Sequence, residues 1–223
     1  MKALKLFTTR MLITAFVSTL TLNAQQADTL KDLPNLLLPR FTAGIVRLKN
    51  GDIRKAILNY DLVGQQMVFL QRKLTLVLDD PQQVDTVFLA NRIFVSFPKG
   101  FYELLMKKED VSLFKQHKAY VEYPGMPTGY GAKSQTAAPS YVNQIYGPTG
   151  AINLKIPNDY KVIDDSQYWI KRGDEMSAFK NKRQFLKIFP DKQKELDKYI
   201  TKERIDFKKV DDVRKLVEYL FSL

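Results

Sequence analysis

The sequence predicts an α+β protein. We expect an antiparallel β-rich body, folded as a meander, a sandwich or a partly closed barrel, followed by a small C-terminal helical segment of about three helices. Two observations support this class. From residue 41 to residue 123 the chain is a succession of short apolar or alternating runs between turn signals, with no helix-length periodic run among them. After Asn181 the apolar residues instead recur at helical spacing.

The N-terminus has the three-part pattern of a secretory signal. A positive leader containing Lys2, Lys5 and Arg10 precedes the mostly apolar residues 11–22, and the small residue Ala24 follows. This apolar run is too short to span a bilayer core, which takes about 20 apolar residues. We therefore expect residues 1–24 to be a signal peptide, and the mature chain to be periplasmic, extracellular or on the cell surface. We expect no integral membrane span after signal removal.

The mature chain is mildly basic. Without the signal, 32 basic and 24 acidic residues leave a net charge of +8, and the two signs alternate along the sequence. A nucleic-acid-binding protein usually concentrates its cations on one face, with aromatic residues for stacking. We therefore expect no nucleic-acid partner. A mild preference for anionic partners, such as acidic polysaccharide or lipid headgroups, remains.

Residues 25–123 are the predicted β-rich body. The spacing of turn signals is typical of an all-β meander, sandwich or barrel. Pro98 and Gly100 fit the second and fourth positions of a type I turn. About nine strands are expected, from the runs GIVRL, DIRKAILNY, MVFLQ, LTLVL, VDTVFL, RIFVSF, FYELLM, VSLFKQ and AYVEY.

Asn50-Gly51 is the strongest hairpin signal in this body, because both central residues of a type I′ turn need positive φ. A two-residue turn at this point would place Arg47 directly opposite Arg54, which is a repulsive cross-strand pair. Either the loop is therefore longer than two residues, or a neighbouring strand supplies a carboxylate.

Residues 124–150 are predicted to be a connecting loop, because they hold five of the ten glycines and four of the ten prolines. The sequence GAKS invites a phosphate-loop interpretation, which needs Gly directly before Lys and four residues between the two glycines. Ala132 separates Gly131 from Lys133. No buried strand precedes this stretch and no helical pattern follows it, so we reject the phosphate-loop interpretation.

Residues 151–223 are predicted to form a short β extension and the C-terminal helices, packed on the body. The runs INLKIP, YKVID and QYWIKRGDE read as strands, with a turn around Gly173. Asn181 with Gln184 three residues later resembles a capping box at the start of the first helix. Pro190 suits the first position of the second helix. The run VDDVRKLVEYLF has the apolar stripe of a third helix that packs on a core.

The residue inventory excludes several chemistries. With no Cys and His117 as the only histidine, thiol catalysis and Cys/His zinc sites are out. A catalytic triad would depend on that one histidine, which we expect to be a surface or strand-packing residue. Glycoside hydrolysis needs only two acids at the correct separation. Nominal candidates for it are Glu103, Glu109, Glu122, Asp164 and Asp165. Because neighbours on a strand point to opposite faces, the last two do not easily act together.

Aromatic residues supply the ligand-binding candidates. Tyr130, Tyr141 and Tyr146 lie in the predicted connecting loop, where they could fold over a ligand or partner. Tyr168 and Trp169 are adjacent and could supply a platform for a sugar. Our candidate binding residues are the three loop tyrosines and Trp169. We expect no catalytic residue, no metal site and no cofactor.

Four stretches together resemble a family of exported, β-rich proteins of unknown function from Bacteroidota-type bacteria. They are LKNGDIRKAILNYDLVGQQMVFLQ, VDTVFLANRIFVSF with FYELL, the connection GYGAKSQTA, and the tail FLKIFPDKQKELDKYI with DFKKVDDVRKLVEYL. The likeness covers nearly all of the mature chain, and its motifs are structural. It implies a periplasmic or surface setting and no cofactor, and it transfers no functional residue.

The function that these observations favour is that of a non-catalytic envelope or secreted protein that binds a partner, which could be a cell-envelope protein, a glycan or a lipid. Two alternatives stay open. A carboxylate-dependent glycan hydrolase requires two acids about 5 to 10 Å apart in a cleft. A β-barrel carrier of a lipid or small apolar ligand requires an enclosed apolar cavity.

Overall fold

The computed structural model describes residues 33–72, 74–78, 80–122, 126–127, 133–134, 156 and 160–223. The predicted signal peptide, the run INLKIP except for Ile156, and most of the predicted connecting loop lie outside these residues. In the described part, fourteen strands precede three α-helices, and the predicted α+β class is confirmed.

Ten strands form one antiparallel sheet, in the order β14-β13-β8-β7-β6-β5-β1-β2-β3-β4. Two small pairs, β9 with β12 and β10 with β11, lie apart from it. The nine strands expected before residue 124 are all present. The strands are β1 Thr42–Leu48, β2 Ile53–Asp61, β3 Gln66–Gln71, β4 Leu74–Val77, β5 Val84–Leu89, β6 Arg92–Phe97, β7 Gly100–Lys108, β8 Val111–Gln116, β9 Ala119–Glu122, β10 Met126–Pro127, β11 Lys133–Ser134, β12 Lys161–Asp164, β13 Gln167–Arg172 and β14 Glu175–Phe179.

The hairpin at Asn50-Gly51 avoids a repulsive pair of Arg47 with Arg54. It does so both by a longer loop and by a carboxylate from a neighbouring strand. The loop has three residues, because Leu48 and Asp52 close it through a backbone hydrogen bond of 2.9 Å. Arg47 therefore pairs with Ile53 rather than with Arg54. A carboxylate from the neighbouring strand also reaches Arg47, whose guanidinium lies 2.6 Å from Asp85 on β5.

The two faces of the sheet have different environments. One face, which we name the core face, carries two buried clusters. The first lies on β1, β2, β3, β5, β6 and β7 and comprises Val46, Leu58, Tyr60, Met67, Val84, Val87, Leu89, Phe94 and Phe101. The second lies between β8, β13, β14 and the helices, and it includes Leu113, Tyr168, Ile170, Phe179, Phe185, Leu196, Val213 and Leu216.

We name the opposite face of the sheet the open face. Residues 33–41 cover only its β2–β4 end. Leu36 and Phe41 bury Val68 and Leu70 there. Buried Asn59 holds this segment, because its side chain accepts a hydrogen bond from the Leu38 amide and donates one to the Leu38 carbonyl. The open face of the central strands lies beside this covered region.

The sheet curls so that the loop between β2 and β3 meets β7 and β9. The Ala119 amide donates to the Leu62 carbonyl over 2.9 Å. Gly100 permits the approach, because a Cβ at this position would lie 2.6 Å from the Gln65 carbonyl oxygen. This contact brings the side chain of Gln65 to the end of β8, where it becomes part of the site described below.

Three helices complete the chain: α1 Lys182–Ile188, α2 Gln193–Lys202 and α3 Val210–Leu220. The predicted cap is confirmed, since Asn181 accepts a hydrogen bond from the Gln184 amide. The Gln184 side chain reaches back to the Lys180 amide at 2.7 Å, one residue before the cap. Pro190 begins a 3₁₀ turn that leads into α2.

Within the part of the chain that the structure describes, no helix is both long enough and apolar enough to cross a membrane.

Candidate functional site

The open face carries a row of apolar side chains across six adjacent strands, which we name the apolar row. Its members follow from the strand register and are Ile45, Phe88, Ile93, Leu104, Phe114 and Trp169. With neighbouring strands about 4.8 Å apart, the row is roughly 24 Å long. At its β1–β5–β6 end the side chains are exposed, with 37%, 37% and 38% of the surface of Ile45, Phe88 and Ile93 accessible.

The other end of the row is an aromatic stack centred on Trp169. The indole ring is half-buried and stacks on Tyr102, with ring centroids 5.7 Å apart and planes inclined by 21°. Tyr102 stacks in turn on Phe97 at 4.7 Å, and Phe97 meets Phe114 edge-on at 5.2 Å. These contacts fix one face of the indole against the protein.

A ladder of three glutamine side chains borders this stack. Gln116 is buried, and its carbonyl oxygen accepts hydrogen bonds from the Trp169 indole at 2.9 Å and from Gln167 at 2.8 Å. Its amide nitrogen donates to the Gln65 carbonyl oxygen at 2.8 Å. The ladder therefore holds Trp169 in one orientation and links β8, β13 and the loop before β3.

The predicted platform of Tyr168 and Trp169 is split between the two faces of the sheet. Tyr168 lies on the core face, where it is buried and stacks on Phe179 at 5.4 Å. Trp169 lies on the open face beside Tyr102. Successive strand residues point to opposite faces, so the aromatic neighbours of Trp169 come from other strands. Tyr130, Tyr141 and Tyr146 lie outside the described residues.

A cluster of charged groups lies on the core face of the same strands, and we name it the Glu103 cluster: Arg92, Glu103, Lys115 and His117. Glu103 Oε2 lies 2.5 Å from His117 Nε2 and 3.0 Å from Arg92 Nη1. Both Glu103 and His117 are buried, with 6% and 4% of their surface accessible. The Lys115 ammonium lies 5.8 Å from the centre of the Tyr168 ring. The single histidine is thus a buried packing residue, and the surface alternative is wrong.

The environment sets the ionisation of this cluster. Burial lowers the pKa of His117, and the hydrogen bond to Glu103 offsets only part of this effect. Burial on its own would raise the pKa of Glu103, but the hydrogen bond from His117 and the Arg92 guanidinium hold it below its usual value. Burial also lowers the pKa of Lys115. Since Arg92 and Lys115 already supply two cations beside one carboxylate, a neutral His117 that donates Nε2–H to Glu103 best fits the site.

Two of the five carboxylates named from the sequence, Glu103 and Asp165, are held by basic side chains. Glu103 is held by Arg92 and His117, and a carboxylate with a lowered pKa is a poor proton donor at neutral pH. Asp165 is bridged to Lys118 and Lys180, and these cations keep its pKa low. The remaining three acids, Glu109, Glu122 and Asp164, are exposed, and Asp164 Oδ1 accepts a hydrogen bond from the Ser166 amide at 3.0 Å.

The described residues were also compared with the requirements of a metal site and of an enclosed ligand cavity. Among the described residues, no group of three or more His, Cys, Asp or Glu side chains could hold a metal ion. A groove of about 440 Å³ runs along β1 and β2 on the open face and is lined by Ala43, Gly44, Ile45, Lys55, Ala56 and Ile57. It lies at the surface beside the apolar row, whereas the carrier alternative requires an enclosed apolar cavity.

Of the binding residues named from the sequence, Trp169 is the one that lies in the described part of the chain. The partners that orient it, namely Tyr102, Gln116 and Gln167, were missed. The signal that could have found them is the register of β7, β8 and β13, because Gln116 pairs with Gln167 across the sheet. Comparison with family models, with curated proteins and with solved structures finds no match to this chain.

Proposed function

We propose that this chain is exported by its N-terminal leader and acts in the cell envelope or outside the cell as a non-catalytic binding protein. The leader pattern of residues 1–24 supports the export. The apolar row on the open face is the observation that carries the binding function.

The apolar row departs from the usual pattern of a one-sided antiparallel sheet. Such a sheet buries one face and presents polar residues to water on the other. Here the buried clusters occupy the core face, yet Ile45, Phe88 and Ile93 stand side by side on the open face of three central strands. Contiguous exposed apolar surface on a soluble protein marks an interaction site more often than isolated apolar residues do. The row is therefore best explained as a contact surface for a partner or ligand.

Two features of the described acids weigh against catalysis as the main function. Glu103, the most buried of the acids named from the sequence, is paired with Arg92 and His117 rather than with a second acid. Asp165 is neutralised by two lysines. A retaining or inverting glycosidase instead needs one acid with a raised pKa opposite a free carboxylate.

The test has two parts. In the source cell, fractionation combined with N-terminal sequencing of the mature chain should find it outside the cytoplasm and starting near Gln25. The purified mature chain should then bind the envelope fraction saturably. The double substitution Phe88→Ser with Ile93→Ser should weaken that binding by about tenfold or more.

Ile53→Ser is the matched control, because Ile53 is 63% exposed and lies outside the apolar row. It should leave binding unchanged. Cytoplasmic retention of the chain with its leader attached would overturn the export. Equal binding by the double variant and the wild type, or turnover of a substrate that a single carboxylate substitution abolishes, would overturn the binding function.

A further inference from the structure

The Trp169 end of the apolar row has hydrogen-bonding groups that the protein does not use. Gln167 donates through Nε2 to Gln116, and Gln65 accepts through Oε1. Within the described residues, the Gln167 carbonyl oxygen and the Gln65 amide nitrogen make no hydrogen bond. Both side chains are partly exposed. The ladder therefore presents the carbonyl oxygen of Gln167 and the amide nitrogen of Gln65 beside the indole.

The Trp169 indole is held in a fixed orientation in which a ligand could stack on it. Its N–H is already satisfied by Gln116, and one ring face lies against Tyr102. Because the orientation of Trp169 is fixed in the free protein, a ligand that stacks on the ring would not have to bear the entropic cost of ordering it. The site thus combines an aromatic surface with amide groups held at fixed positions.

This combination fits a sugar better than a lipid or an anion. A pyranose ring has an apolar C–H face that can lie on an aromatic ring. Its hydroxyls both donate and accept, so they match the free acceptor of Gln167 and the free donor of Gln65. An acyl chain would leave both amide groups without partners, which costs free energy once they are desolvated.

The charges beside the site favour a neutral sugar. One carboxylate, Asp165, binds both Lys118, which follows β8, and Lys180, which follows β14. Both ammonium groups are therefore already in ion pairs. An acidic polysaccharide or a phosphate headgroup would have to replace the Asp165 carboxylate as their partner.

We propose that Trp169, with Gln65 and Gln167, forms a binding site for a neutral glycan. This inference rests on the proposed function, because it names the ligand class of the same open face. The remote end of the apolar row, at Ile45 and Phe88, would then serve a different part of the contact.

Trp169 is the only tryptophan in the chain, so its fluorescence reports on this site alone. The mature chain should be screened against an immobilised panel of neutral and acidic glycans. Neutral hits should then be titrated by tryptophan fluorescence, with polygalacturonate oligomers and phosphatidylglycerol vesicles as the anionic and lipid probes. We expect a saturable change in emission with a neutral oligosaccharide and none with the anionic probes. No saturable binding to any neutral glycan, or a stronger response to either anionic probe, would overturn the inference.

Variants separate the site from the rest of the fold. Gln167→Ala should weaken glycan binding by about tenfold, and Gln71→Ala, an exposed glutamine at the end of β3, should leave it unchanged. Trp169→Phe removes the probe and must be measured by calorimetry, where a larger loss is expected. If Gln167→Ala and Gln71→Ala bind alike, the assignment of this site fails.

The failure of this inference can be told apart from that of the proposed function. Phe88→Ser with Ile93→Ser alters the apolar row but not the glutamine ladder. If no glycan binds while this double variant still loses envelope binding, the glycan site is wrong and the binding function stands. If the double variant binds the envelope normally as well, both are wrong.

Discussion

Glu103 and His117 share the core face because β7 contains a one-residue bulge. The register of the β7–β8 hairpin shifts by one residue between Leu104 and Met106. After this shift Glu103 pairs with Lys115, and His117, two residues further on, lies diagonally across on the same face. Since a one-residue slip moves every side chain to the opposite face, Glu103 and His117 would otherwise point to opposite faces of the sheet.

This pair should make the protein sensitive to acid. Because the pKa of His117 is lower in the folded protein than its ordinary value of 6.5, the unfolded chain takes up the proton first as the pH falls. The groups that face the imidazole are Glu103, Arg92 and Lys115. As the pH falls below about 6.5, the free energy of unfolding should decrease, by at most about 1.4 kcal/mol per pH unit for one proton. The lowered pKa of Glu103 adds a further decrease below its ordinary value of 4.5.

Urea denaturation at a series of pH values from about 8 to about 5 measures this decrease. His117→Gln is the informative variant, because it keeps a hydrogen-bond donor for Glu103 but does not titrate. Its free energy of unfolding should vary less between pH 6.5 and pH 5 than that of the wild type, whatever its absolute stability. Parallel profiles for the two proteins would contradict the assignment to His117.

The strands and helices could be predicted because their signals are local. Alternating apolar runs and turn residues locate β1 to β9, and the Asn181 cap marks the start of α1. The order of the strands could not be predicted. β5 lies between β1 and β6, and no spacing in the sequence indicates that Ile45 pairs with Phe88.

The candidate site was predictable only at Trp169, because its other parts depend on contacts that are distant in the sequence. The Gln65–Gln116 hydrogen bond joins residues 51 positions apart. It forms because the curl of the sheet brings the loop before β3 to the end of β8. A single glycine at position 100 does not predict that curl from the sequence. The Glu103 cluster depends in the same way on a bulge, which alternation of apolar residues does not reveal.

Two buried tyrosines should respond oppositely to loss of the hydroxyl group. The Tyr168 hydroxyl is buried and has no hydrogen-bond partner in the described structure, and burial raises its pKa to about 12. Tyr168→Phe should therefore leave stability unchanged or raise it by about 1 kcal/mol. The single hydrogen of the Tyr60 hydroxyl is shared between the His117 carbonyl at 3.2 Å and the Phe101 carbonyl at 3.4 Å, so Tyr60→Phe should cost about 1 kcal/mol.

Urea denaturation at neutral pH compares the two variants directly. Each substitution removes one oxygen from a buried ring, so the difference between them reports the hydrogen bonds. A Tyr168→Phe variant that is less stable than Tyr60→Phe would show that the Tyr168 hydroxyl has a partner in solution.

Alanine substitutions at two glycines distinguish the destabilisation caused by backbone strain from that caused by a steric clash. Gly100 and Gly51 both have positive φ, at +113° and +91°, so alanine is strained at either position. At Gly51 an added Cβ meets no atom within 4 Å, whereas at Gly100 it would lie 2.6 Å from the Gln65 carbonyl oxygen. Gly51→Ala should cost about 1 kcal/mol, and Gly100→Ala should cost about 2 kcal/mol or more beyond that. Thermal denaturation of both variants tests this, and equal losses would mean that the loop before β3 does not approach β7 so closely.

The C-terminal helices should unfold together with the sheet, because they complete the same buried cluster. Leu216 in α3 is fully buried and belongs to one cluster with Leu113 on β8 and Ile170 on β13. Leu216→Ala should therefore lower the free energy of unfolding by about 2 to 5 kcal/mol. Leu223→Ala, at a position that is 44% exposed, should change it by less than about 0.5 kcal/mol.

Helical circular dichroism reports on the helices, and the fluorescence of Trp169 reports on β13. Coincident transitions for the two signals are expected in the wild type and in Leu216→Ala. A helical signal that is lost at lower denaturant than the Trp169 signal would show that the helices are a separate unit rather than part of the core of the sheet.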